Sequence, residues 1–81
     1  MRIEVRLFAQ ARERVGNAQA RLELPDGSRV SDALTLLEHA YPGLAELRPH
    51  LAVAVDGTLV RTGEVLVEGC ELALLPPVSG G

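Results

Sequence analysis

The chain of 81 residues is 47% hydrophobic and 23% charged, with a net charge of −3, an ordinary globular mixture for one small domain rather than two. That balance excludes a disordered tail, collagen and a coiled coil; no apolar run approaches the roughly 20 residues of a membrane-spanning helix, and the acidic sign speaks against nonspecific nucleic-acid binding. A single cysteine, Cys70, allows no internal disulfide and the opening MRIEVRLFAQ has no signal-peptide core, so the expected location is the cytoplasm, with no membrane partner.

Residues 2–8, RIEVRLF, alternate, with Ile3, Val5 and Leu7 on one side and Arg2, Glu4 and Arg6 on the other; this is the pattern of a half-buried strand. AQARERV follows as a helix that stops at Gly16. Residues 20–24 read as a second strand with Leu22 and Leu24 inward, closed by the turn cluster Pro25-Asp26-Gly27-Ser28. Ser31 is the expected N-cap of the main helix, with Asp32 complementing the dipole in its first turn. Ala33, Leu34, Leu37, Ala40 and Tyr41 make its apolar face, and Pro42 ends it.

Residues 43–49 suggest a short helical turn. The run LAVAV at 51–55 reads as a strand covered on both faces. Asp56-Gly57 signals a hairpin, and Thr58-Leu59-Val60 returns from it. Residues 65–67 fit either a short edge strand or an extended loop. ELALL at 71–75 is the last strand, and PPVSGG at 76–81 cannot be regular structure. A crossover through the helix brings a returning strand parallel to an earlier one. The expectation is an α+β domain over residues 1–75, a mixed sheet packed on one main helix, followed by a flexible tail at 76–81.

Charge is unevenly spread. Residues 1–40 hold six arginines and six acids and are neutral, whereas residues 41–81 set Arg48 and Arg61 against Glu46, Asp56, Glu64, Glu68 and Glu71. A basic partner surface facing this half is one reading, a solvated acidic face the other. Every basic residue is arginine, so the chain offers no lysine for modification.

No catalytic constellation is legible. His39, His50 and Cys70 lack zinc-ligand spacing, so no metal site is expected. There is no GxGxxG and no phosphate-binding loop. Cys70 follows Gly69 and reads as a small residue tolerated in a turn rather than a reactive thiol. The unusual feature is the end of the sequence. Two prolines prevent further ladder pairing and favour extended geometry, and Gly80 and Gly81 are thin and conformationally free. Such a tail can be threaded into a narrow site on another protein, which suits a carrier whose reactive group is its own carboxylate.

The segment LALLPPVSGG, residues 72–81, resembles the ends of the MoaD-type sulfur carriers, the small subunits of molybdopterin synthase, which share a ubiquitin-like β-grasp fold with the thiamine sulfur carrier ThiS. Leu7-Phe8-Ala9, VSDALTLL, AVDG at 54–57 and VEGCELALL extend the resemblance over the whole chain, with departures at Cys70 and Leu75. The resemblance implies that an ATP-dependent, ubiquitin-activating-like adenylyltransferase adenylates the Gly81 carboxylate. A sulfur donor of desulfurase or rhodanese type then converts it to a thiocarboxylate. The tail residues Pro76, Pro77, Val78, Ser79 and Gly80 insert into the large synthase subunit, where the sulfur passes to a cyclic pyranopterin. Phe8, Leu59 and Leu75 correspond to an apolar contact with that subunit. No cofactor is implied for the chain itself, ATP being used by the activating partner, and the chain is no enzyme alone. Other readings are a carrier serving thiamine, cysteine or tRNA thiolation, a ubiquitin-like protein modifier, and a plain interaction module of this fold with an inert tail.

Overall fold

The computed structural model describes residues 1–77. Strand β1, Arg2–Leu7, pairs antiparallel with β2, Gln19–Glu23. Between them lies the short helix α1, Ala9–Val15, closed by Gly16 in the left-handed conformation at φ 85°. The main helix α2, Val30–Ala40, follows. Two 3-10 turns, Pro42–Leu44 and Arg48–His50, lead into β3, Ala52–Val55. Asp56 and Gly57 both take positive φ, 49° and 85°, as a tight hairpin turn demands, and β4, Thr58–Val60, returns. The last strand is β5, Glu71–Leu75.

The five strands lie in the order β2-β1-β5-β3-β4. The strand parallel to β1 is β5, in register Glu4↔Glu71 to Leu7↔Leu74. β3 sits on the far side of β5 and runs antiparallel to it. The chain's last strand is therefore its central one. Its two inward leucines, Leu72 and Leu74, are fully buried with Ile3, Val5, Leu7, Val30 and Leu37. With so few aromatics the core is aliphatic, each buried leucine contributing about 2 kcal/mol by area.

Four local expectations need correction. The main helix begins at Val30, with Arg29 rather than Ser31 as its N-cap. The Arg29 backbone N–H donates to the Asp32 carboxylate at 2.8 Å. Val30 and Ser31 donate their N–H groups to the carbonyls of Glu64 and Thr62, both at 2.9 Å. A remote loop satisfies the orphan donors that a serine cap would have served. Ala40, expected on the apolar face, is exposed; that face is Val30, Ala33, Leu34 and Leu37. Strand β3, expected to be covered on both faces, has only its Val53 side in the core cluster. Ala54 points to the other side and is nevertheless 5% exposed, because it is short and lies between Ala73 and Leu59 in the register. Cys70 is not a surface turn residue: it is 2% exposed and packed into the core, while its carbonyl accepts from the Glu4 N–H at 3.0 Å.

The ambiguous segment at 65–67 is a loop with one bridge, Arg29↔Val65. Leu66 is buried there, and Val65 and Val67 are exposed.

Candidate functional site

Alternation along the central strands decides what surrounds the start of the tail. Ile3, Val5 and Leu7 face the core, so Phe8, still extended at φ −123° and ψ 154°, faces away from it. Its N–H donates to the Leu74 carbonyl at 3.2 Å, which continues the β1–β5 ladder and sets Phe8 beside Leu75. Leu75 in turn pairs with Ala52. One step back along the strands, Arg6, Ala73, Ala54 and Leu59 form a second cross-strand row on the same outer face. Phe8 is 41% and Leu59 61% exposed; Leu75, Ala52 and Ala73 are half-buried. Large apolar side chains thus flank a floor of three alanines.

The other half of this outer face is charged. Arg21 Nε lies 2.9 Å from Glu4, Arg2 lies 3.0 Å from Glu23, and Arg6 approaches Glu71 at 3.8 Å. The acids of the second half of the chain are partly engaged within the fold. Glu68 accepts from the Arg2 backbone N–H at 2.8 Å, and Asp56 accepts from the Glu71 N–H at 2.9 Å.

Pro76 and Pro77 are exposed and extend from β5 at the apolar end of the face. Val78, Ser79, Gly80 and Gly81 lie outside the described residues. The structure brings Phe8, Leu75 and Pro76 together at one end of the sheet and places Leu59 on the neighbouring row, toward the β4 edge. Sequence reading missed the alanines at 52, 54 and 73, although the alternation of ELALL already sets Ala73 and Leu75 on one side. It also missed the turn at Ala9, a non-glycine residue at φ 50°. That conformation costs about 1 kcal/mol and swings the chain from β1 into α1 directly after Phe8.

His39 is exposed on α2, His50 is exposed on the second 3-10 turn, and Cys70 is buried immediately before β5. Among the described residues, no group of three or more His, Cys, Asp or Glu could hold a metal ion, and no helix is long and apolar enough to cross a membrane.

A mixed sheet with β5 at its centre, gripping one long helix, defines a ubiquitin-like β-grasp domain. The crystal structure of small archaeal modifier protein 1 (SAMP1) from Haloferax volcanii superposes with a TM-score of 0.85 over the whole of both chains. The chain belongs to the ThiS family, which it matches over residues 5–81. It is 38% identical to small archaeal modifier protein 1 of Haloferax volcanii, covering 98% of this chain and 100% of that protein. It is 35% identical to the molybdopterin synthase sulfur carrier subunit of Arabidopsis thaliana, covering 98% and 82%. A complex of subunits 1 and 2 of the molybdopterin-converting factor from Helicobacter pylori contains a similar chain, 27% identical with a TM-score of 0.69 and full coverage of both.

Proposed function

We propose that this chain is the sulfur-carrier subunit of a molybdopterin synthase and that its cargo is held on the carboxyl group of Gly81. The observation that carries the reading is the position of Pro76 and Pro77: they continue the central, doubly paired strand and leave it beside an outward apolar surface. The likeness to the Arabidopsis carrier subunit and a family match that runs through residue 81 support it.

In this reading the Gly81 carboxylate attacks the α-phosphorus of ATP on an activating partner of the ubiquitin-activating type, and pyrophosphate leaves. A bare carboxylate is a poor electrophile, so the acyl-adenylate is needed before sulfur can attack. The terminal persulfide sulfur of a desulfurase- or rhodanese-type donor displaces AMP and forms an acyl disulfide, which a second thiol of the donor cleaves to leave the thiocarboxylate on Gly81 and a disulfide on the donor. Pro76 to Gly81 then enter the large subunit, and the sulfur passes to cyclic pyranopterin monophosphate. Covalent carriage makes delivery local rather than bimolecular. Phe8, Leu59 and Leu75 dock on the large subunit, which supplies the catalytic groups. The whole sequence takes place in the cytoplasm.

Incubation with activating enzyme, ATP and sulfide should raise the intact mass by one oxygen-to-sulfur exchange. A chain lacking Gly81 should show neither the exchange nor pterin sulfuration; full activity in that truncated chain overturns the carrier reading. The likeness to the Haloferax modifier favours a second reading, conjugation of Gly81 to lysines of other proteins. A shifted ladder on a denaturing gel distinguishes it. This lysine-free chain cannot itself build lysine-linked chains.

A further inference from the structure

A groove of about 340 Å³ adjoins the start of the tail, apart from the alanine-floored face. Ala9, Gln10 and Ala11 from the beginning of α1 line one part of it, and Leu47, His50 and Leu51 another. Pro76 and Pro77 also contribute, and Phe8 belongs to both the groove and the outer face. None of the lining residues is Asp, Glu, Arg or Lys, in a chain that is 23% charged. The groove is held in shape from behind. The Arg48 guanidinium donates to Thr35 Oγ1 at 3.1 Å, to Glu38 at 3.3 Å and to the Ser31 carbonyl at 3.3 Å. These bonds pin the turn that carries His50 to α2.

We infer that this groove is a second docking site for the large synthase subunit, and that its occupant is an uncharged, apolar side chain at the rim of that subunit's tail channel. The inference rests on the carrier reading above and extends it to a surface outside the sheet face. Reach supplies the first argument. Four residues follow Pro77, and fully extended they span at most about 14 Å. A reaction centre that meets Gly81 therefore draws the partner's surface over the prolines, and the prolines are part of the groove. Continuity supplies the second, because Phe8 joins the groove to the face that docks the same subunit. Chemistry supplies the third: the lining holds no Arg or Lys to neutralise an anion and no Asp or Glu to neutralise a cation, and an apolar occupant leaves no charge stranded.

The test is the affinity of the full chain for the purified large subunit, measured by calorimetry. Gln10→Glu combined with His50→Glu sets two carboxylates in the groove at exposed positions. Asn17→Glu adds one on the exposed α1–β2 loop, outside the groove. The double variant should melt with wild type and bind at least tenfold more weakly, Asn17→Glu should bind normally, and His50→Leu should bind at least as tightly as wild type. If the double variant melts early, His50→Glu alone repeats the measurement, with a threefold loss expected. Normal binding by the groove variants beside weakened binding by Leu59→Arg overturns the groove and leaves the face reading standing. Normal binding by Leu59→Arg, or no binding by wild type, removes the partner and the groove together. Dimerisation that the double variant abolishes seats a second copy in the groove and also overturns the inference.

Discussion

The two faces of the sheet are made by the same strands and alternate residue by residue, yet they are built to different rules. The inner face is continuous aliphatic packing: Ile3, Val5, Leu7, Leu72 and Leu74 are at most 2% exposed. The outer face is divided. On β1, β2 and the first residue of β5 it carries arginine–glutamate pairs in water, and on the rest of β5, on β3 and on β4 it carries alanines flanked by Leu75 and Leu59. An isolated exposed leucine needs no explanation, but a contiguous apolar half-face beside a charged one marks a surface meant to be covered. The domain thus spends the inner side of every strand on folding, and only part of the outer side is left apolar.

The sharpest way to break that division is to exchange what each face loses. Leu72→Ala on the inner face should cost about 2–5 kcal/mol, which lowers the melting temperature by more than about 10 °C in a domain this small. Leu59→Arg on the outer face should melt with wild type while weakening binding to the large subunit at least tenfold, by stranding a charge in an apolar contact. An unfolded Leu59→Arg would make that residue part of the core and erase the distinction. Cys70→Ser comes next. The buried thiol becomes a hydroxyl in an aliphatic setting, for about 1–3 kcal/mol, read as a lower urea midpoint. Sulfur loading at permissive temperature should nevertheless proceed at the normal rate, since the proposed chemistry uses no side-chain thiol of the carrier; loss of loading in the folded variant would contradict this. The smallest effect belongs to the charged half of the outer face. Arg21 and Glu4 are 70% and 45% exposed, so Arg21→Ala should change stability by less than about 1 kcal/mol, and binding to the large subunit should be unaltered.

The period-two pattern of RIEVRLF made β1 and its two faces legible, and the same pattern in ELALL contains the alignment of Ala73 with Leu75. The hairpin at Asp56-Gly57 was equally readable, because only a few residue types tolerate both positive φ angles. What could not be read depends on distant parts of the chain. The helix start moved because carbonyls of Thr62 and Glu64, some thirty residues away, accept the N–H groups of Ser31 and Val30. Cys70 could not be placed, since a single residue between a turn and a strand has no period to betray its direction. The groove beside the tail joins three separate segments, and its Phe8–Ala9 corner depends on a backbone conformation that alanine rarely adopts. Of the tail, composition alone spoke: two prolines, then two glycines.

The central position of β5 has a mechanical consequence. An edge strand pulled from its end can peel away one hydrogen bond at a time. A pull on Pro76 along the strand instead loads the β1 and β3 ladders in shear, four paired positions on each side, and the bonds must yield together. A pull that enters at Pro76 is therefore met by both ladders at once rather than by the outermost bond alone.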